Sequence, residues 1–200
     1  VNLIYANDSG LLDACLLKGD QTMSTANLSY PIGEYKPRKF ISNEQKEEWI
    51  QVLEEVPAKL KQAVEGMTDS QLDTPYRDGG WTVRQVVHHL ADSHMNGYIR
   101  FKLSLTEETP AIRPYDEKAW SELEDSKTAE PSGSLALLQE LHGRWTALLR
   151  TLTDQQFQRG FYHPDTKEVI TLENALGLYV WHSHHHIAHI TELSKRMGWS

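Results

Sequence analysis

The segment from Thr171 to Arg196 repeats its apolar residues at helical spacing and carries five of the chain's ten histidines. At 100° per residue, Leu172, Ala175, Leu176, Tyr179, Ile187, Ile190 and Leu193 form one stripe. A helix with a single apolar face must bury it against other elements, so the rest of the chain has to supply partners. His182 and His186 fall on the edge of the stripe one turn apart, and His189 falls beside them. His184 and His185 fall roughly opposite. The spacing therefore predicts that His182, His186 and His189 look inward and that His184 and His185 look into water.

Three further segments have helical periodicity. The first, about Asn43 to Val64, places Trp49, Val52, Leu53, Val56, Leu60 and Val64 on one face, with Ser42 and Gln45 as a capping box. Pro57 is expected to kink it or to end its first half. The second follows the turn Asp78-Gly79-Gly80, with Thr82 and Gln85 as its capping box. Its inner face carries Val83, Val87, Leu90, His94, Tyr98 and Phe101. The third runs from about Ser134 to Leu152, with Leu138, Leu141, Trp145, Leu148, Leu149 and Leu152 in phase. In the last helix Thr171 is the N-cap and Gly198 lies just past the end. The connection from Thr106 to Gly133 is long, carries three prolines, and has room for a short helix around Asp116 to Leu123. Four amphipathic helices with one long middle crossover describe an all-α four-helix bundle. The crossover lets the second and third helices run parallel, an up-down-down-up order.

Two hundred residues suit one domain. The net charge of −8 argues against a nucleic-acid partner, and no apolar run is long enough to span a bilayer. Cys15 is the only cysteine, which excludes an intrachain disulfide and a cysteine-rich zinc site, and suits the cytoplasm. Any metal must be held by histidine and carboxylate. Residues 1–22 fit neither the helical pattern nor a signal peptide. Lys18-Gly19-Asp20 can be encoded with a ribosome-binding sequence a few nucleotides before Met23. Translation is therefore expected to start at Met23, leaving 1–22 as a non-native extension and 23–200 as the domain.

Two inward imidazoles one turn apart are expensive unless each has a partner, and a shared metal ion is such a partner. Bundle cores build metal sites from facing helices. The second helix offers His88, His89 and His94; periodicity favours His94, in mid-stripe, and places His88 and His89 to either side.

The run WTVRQVVHHLAD, Trp81 to Asp92, resembles the second-helix signature of the DinB/YfiT-like superfamily, in which the ligand histidine sits just before Leu-x-Asp. That position is His89. The His-x-x-x-His of His182 and His186 is similar to the family's second signature, with Ile187-Ala188-His189 where many members have Arg-Gly-Gln. Asn27 to Tyr35, NLSYPIGEY, resembles the YfiT-type branch of metal-dependent hydrolases. The resemblance covers Met23 to Ser200. It implies a four-helix bundle, one zinc or nickel ion held by His89, His182 and His186, and a homodimer.

Three protein ligands leave a fourth position open, the pattern of a catalytic site. Water there would be acidified toward neutral pH, which supports hydrolysis of an ester- or amide-like bond in a small-molecule substrate. No Gly-x-Ser-x-Gly elbow and no phosphate-cradling glycine loop is present. Relatives in the superfamily include thiol-dependent S-transferases, some using bacillithiol. In such a protein the metal would instead activate a low-molecular-weight thiol. A third reading is a non-catalytic metal-binding module closed by His189 or His94. His94 and His189 are also candidates to orient a ligand from behind. His142 and His163 have no supporting spacing; Trp81, Trp145 and Tyr179 read as core, and Asp92 and Glu173 as solvated carboxylates.

Overall fold

The computed structural model describes residues 28–199. The expected extension 1–22, Cys15 and the start at Met23 lie outside the described residues. Four long helices dominate: α1 (Asn43–Val64), α3 (Val83–Thr106), α6 (Pro131–Leu149) and α8 (Leu172–Met197). Between them lie the short helices α2 (Asp69–Leu72), α4 (Glu117–Ser121), α5 (Glu124–Thr128) and α7 (Asp154–Phe157), and a hairpin of β1 (Gly160–His163) and β2 (Glu168–Thr171).

The sequence signals at the helix ends are physically realised. Thr82 accepts the Gln85 backbone N–H while the Gln85 side chain accepts from the Thr82 N–H, closing a full capping box on α3. The Ser42 hydroxyl accepts from the Gln45 backbone, but the Gln45 side chain turns outward to Arg38 and Glu48, so that box is half formed. Thr171 caps α8, and Gly198 ends it in the left-handed conformation, at φ 65°. The third helix is shifted by three residues from the expected Ser134–Leu152, because Pro131 occupies its first turn, where no N–H is required.

Contacts between named residues set the directions. Trp49 lies against Gly177 at the start of both α1 and α8, and Lys59 acts on His184 further along each, so these helices are parallel. Leu53 meets His142 whereas Arg150 reaches back to Glu47 and Glu54, so α6 runs against α1. His89 meets His182 and Arg100 meets Tyr179, so α3 runs against α8. The order is up-down-down-up. Each helix packs on two neighbours: α1 and α3 both lie on α6 and α8.

The hairpin was not foreseen, since four-residue strands are too short for an alternating pattern. Gly160 faces the Ile170 carbonyl too closely for any Cβ. The crossover joins β1 through the Ala111–Tyr162 bridge, with the Ile112 N–H donating to the Tyr162 carbonyl at 3.0 Å.

The apolar core falls into two clusters. One gathers Leu53, Phe101, Trp145, Leu149, Leu176 and Tyr179; the other gathers Leu60, Val87, Leu90, Leu138, Ile190 and Leu193. Every long helix crosses the layer between them with a departure from plain apolar chemistry: Pro57 in α1, His94 in α3, His142 in α6, and His182 to His186 in α8. Pro57 does not end α1, which continues to Val64. Lacking an N–H, it leaves the Leu53 carbonyl without its usual intrahelical donor.

Candidate metal centre

In the layer between the two apolar clusters, His89 of α3 meets His182 and His186 of α8. The Nε2 atoms of His89 and His182 are 3.1 Å apart. The ring centroids of His186 lie 4.8 Å from His89 and 4.5 Å from His182. Each of the three residues offers a ring nitrogen within 4.8 Å of the others, and all are buried. Burial holds each imidazole neutral. The His89 pKa is pushed down to about 3, and those of His182 and His186 fall well below the ordinary value, with the neighbouring histidines adding to the effect. Neutral imidazole is the state that binds a metal. Two imidazole nitrogens on one tetrahedral zinc at 2.0–2.1 Å stand roughly 3.3 Å apart, close to the separation seen here. The donor set thus fits a divalent ion such as zinc or nickel.

Hydrogen bonding separates these three from the other histidines of α3. His88 donates Nε2–H to the Ala129 carbonyl at 3.1 Å and shares Nδ1 with the Ser134 hydroxyl at 2.8 Å. Both its nitrogens are committed, one to the end of the crossover at Ala129 and the other to the first turn of α6 at Ser134. His94, favoured by periodicity as a ligand, is fully buried but also committed on both sides. The Leu53 carbonyl, free because of Pro57, can only accept, so His142 donates Nδ1–H to it at 2.6 Å. His142 Nε2 therefore accepts from His94 Nδ1–H at 2.9 Å. His94 Nε2 in turn faces His182 Nδ1 at 3.5 Å, with the Ser183 hydroxyl at the same distance. One carbonyl thereby sets a single tautomer along His142, His94 and His182, and leaves the His182 Nε2 lone pair aimed at His89. His142, which spacing alone did not mark, is the middle of this chain. A signal was present in the sequence: Pro57 inside a helix implies a carbonyl in need of a donor.

His185 corrects an expectation. Predicted to face water, it is buried under Trp181, whose ring stacks on it at 4.6 Å, with Tyr30 5.8 Å away. The residues before α1 lie across this face of α8, adding a cover that a helical wheel cannot anticipate. His184 is half-buried. His185, His186 and His189 form a second group with ring nitrogens within 4.8 Å of one another. His189 stacks on Tyr76 at 3.8 Å and donates Nε2–H to the Ser29 carbonyl at 3.2 Å, so its buried Nδ1 carries a lone pair without a partner among the described residues.

Trp81, read as core, is half-buried and walls the site, its ring 4.5 Å from His89 and 6.0 Å from His186. Trp145 and Tyr179 are core residues as expected, and both press on Gly97, where a Cβ would lie 2.5 Å from Tyr179 Cζ. Asp92 is half-buried, and burial, together with Asp125, raises its pKa to about 6. Glu173 is half-buried at the start of α8.

Comparison with known proteins agrees with this architecture. The model of the DinB superfamily matches residues 52–190. Over 178 residues the chain is 92% identical to the Bacillus subtilis (strain 168) protein named "Putative metal-dependent hydrolase YfiT", covering 89% of this chain and 100% of that one. A Bacillus pumilus (strain SAFR-032) protein named "Putative metal-dependent hydrolase" is 54% identical over 174 residues, 87% of this chain and 99% of its own. The solved structure of YfiT from Bacillus subtilis, described as a probable metal-dependent hydrolase with an unusual four-helix bundle topology, is 93% identical. It superposes with a TM-score of 0.86 over 87% of this chain and 99% of that one. With a family match across most of its length and relatives covered almost end to end, this chain belongs to the DinB superfamily.

Proposed function

We propose that this protein is a metal-dependent hydrolase whose single divalent ion, zinc or nickel, is held by His89, His182 and His186. One observation carries the reading: three buried, neutral imidazoles converge from two antiparallel helices while His88 and His94 beside them have both nitrogens engaged elsewhere. A bound ion with an open position would supply a Lewis acid and bring a water molecule toward a neutral pKa. The chain's own residues do the rest. The His142–His94 chain fixes the His182 ring and its tautomer. Trp81 covers His89 and His186 and limits solvent access. His189, clamped by Tyr76 and the Ser29 carbonyl, is held neutral by burial, its pKa pushed down to about 3, and keeps an Nδ1 without a partner among the described residues one turn from His186. The substrate in this reading is a small molecule. Among the described residues no helix is long and apolar enough to cross a membrane.

Metal analysis of purified variants tests the ligand set. His182→Ala and His186→Ala are expected to lose the ion and His184→Ala to keep it; equal retention in all three refutes the assignment. The chemistry is tested by the absorbance of cobalt-loaded protein. Perturbation by acetate and azide but not by a small thiol supports the hydrolase. A thiolate charge-transfer band overturns it in favour of a thiol-dependent transferase, and a spectrum that no added ligand changes identifies a closed, non-catalytic site.

A further inference from the structure

Three cationic side chains are buried among the described residues, and two of them have carboxylate partners. Lys46 pairs with Asp154 at 2.7 Å. Arg84 pairs with Asp69 at 2.8 Å and Asp73 at 2.7 Å. Arg100, only 6% exposed, has no carboxylate among the described residues. Its contacts there are the Tyr179 hydroxyl, 3.3 Å from Nη1, and the face of Phe161, 6.0 Å from Cζ. A guanidinium has five N–H donors and stays charged at every relevant pH. A buried guanidinium with no carboxylate beside it among the described residues is a charge without a counter-charge, which a fold tolerates poorly unless an anion completes the site.

The surroundings carry further unmet groups. The Ser93 hydroxyl, 1% exposed, and the buried Tyr115 hydroxyl, brought in by the crossover, face each other and have no further hydrogen-bond partner among the described residues. His163 of β1 is 2% exposed, and its Nδ1 has no partner among the described residues. Tyr179 bonds the guanidinium directly, Phe161 under it lies two residues before His163 on β1, and the crossover that carries Tyr115 is hydrogen-bonded to β1 at Tyr162, so these groups lie on the elements around Arg100. This neighbourhood adjoins the histidine site. His89, Ser93 and Arg100 lie at helical spacing on one side of α3, with Gly97 between them covered by Tyr179 and Trp145. Tyr179, which touches Arg100, lies on α8 one turn before His182. From His89 to Arg100 is eleven residues, a rise of about 16 Å along the axis.

We propose that Arg100 is the substrate's anion anchor: it binds an oxyanion, carboxylate or phosphate, at one end of an elongated small molecule whose other end reaches the histidine site. This deepens the functional reading above and rests on it for the second half of the statement only. A planar carboxylate or a phosphate can take two parallel N–H bonds from the guanidinium. Ser93 and Tyr115 can donate hydroxyl protons to the same anion, and His163 Nδ1 can do so in the tautomer that carries its proton there. The anchor fixes one end of the substrate, and the spacing then selects molecules long enough to present a reacting group to His89 and His182.

Calorimetric titration of chelator-treated full-length protein with succinate and with inorganic phosphate, at constant ionic strength, tests the anchor without any metal. Saturable binding of either anion is expected, and which one binds identifies the oxyanion. In Arg100→Gln the dissociation constant is expected to rise at least about tenfold. Binding is expected to survive in His182→Ala, whose metal content is a separate readout of the ligand assignment. Absence of binding by both anions in the wild type, undiminished binding in Arg100→Gln, or loss in a folded His182→Ala overturns the proposal. Should Arg100→Gln fail to fold, the wild type decides: the Arg100 Nε–H resonance shifts with either anion if it is the anchor, and stays fixed if it is not.

Discussion

Lowering the pH from 7 to 5 is expected to destabilise the metal-free protein by an amount that its buried histidines set. Burial holds His142 down to about 4 and His89 down to about 3, whereas an unfolded chain protonates histidine near 6.5. The folded state therefore excludes protons that the unfolded state takes up. Stability is complete above 6.5, declines as the pH falls from there, and stops declining below each folded-state value. At pH 5 the unfolded state is favoured by 1.5 units for each group, about 2 kcal/mol apiece at 1.36 kcal/mol per unit. Asp92 acts in the opposite sense. Its raised pKa, about 6, lets the fold take up a proton first, and for a half-buried carboxylate this returns about 1 kcal/mol. The net loss from these three groups alone is about 3 kcal/mol, a large fraction of an ordinary stability of roughly 5–15 kcal/mol, and His185 and His189, held down to about 4 and about 3 by burial, act in the same direction and make it a lower bound. For a chain of this size it lowers the melting temperature by roughly 6–12 °C. Glu54 and Asp154, whose pKa values are lowered by Arg150 and Lys46, lose their contribution only under more acidic conditions. Circular-dichroism melts of chelator-treated protein between pH 7.5 and 5 make the measurement. A melting temperature constant across that range would mean that these imidazoles titrate freely in the fold, and would remove the basis for reading them as pre-neutralised ligands.

Three substitutions test the layer between the clusters. His94→Phe keeps a buried ring but breaks the chain from the Leu53 carbonyl to His182; a competition titration should show metal affinity falling roughly 10–100-fold, and unchanged affinity would mean that His182 needs no orienting partner. Pro57→Ala restores an N–H that competes with His142 for Leu53, so thermal melts should show higher stability while the same titration shows weaker metal binding; movement of both in one direction contradicts the link. Gly97→Ala forces a methyl group against Tyr179 and Trp145 and is expected to destabilise by about 1–3 kcal/mol in urea unfolding, with a neutral result showing that the α3–α8 contact can open.

The bundle was legible in the sequence because its information is local. Thr82 with Gln85, Thr171 and Gly198 mark helix ends through chemistry that acts within a few residues, and the long middle connection alone gives the order of directions. The hairpin escaped because Gly160 to His163 pairs with Glu168 to Thr171 in strands of only two alternations each. The histidines show a different limit. A helical wheel ranks positions by direction from one axis, and by that measure His94 outranks His89 and His185 faces water. Side chains in a bundle instead answer to every neighbouring helix. His94 points deepest and is for that reason surrounded, with His142 on one side and His182 on the other. His89, off the centre of the stripe, is free to aim its Nε2 at α8. His185 is buried under Trp181 of its own helix, which the residues preceding α1 hold in place, and those residues no analysis of that helix contains. Arg100 follows the same logic. Its charge is plain in the sequence, but its lack of a carboxylate among the described residues is a property of the folded neighbourhood, and so is what that implies about the substrate. Direction within a helix is thus written locally, whereas the commitment of each polar group is decided by the partners that the fold brings to it.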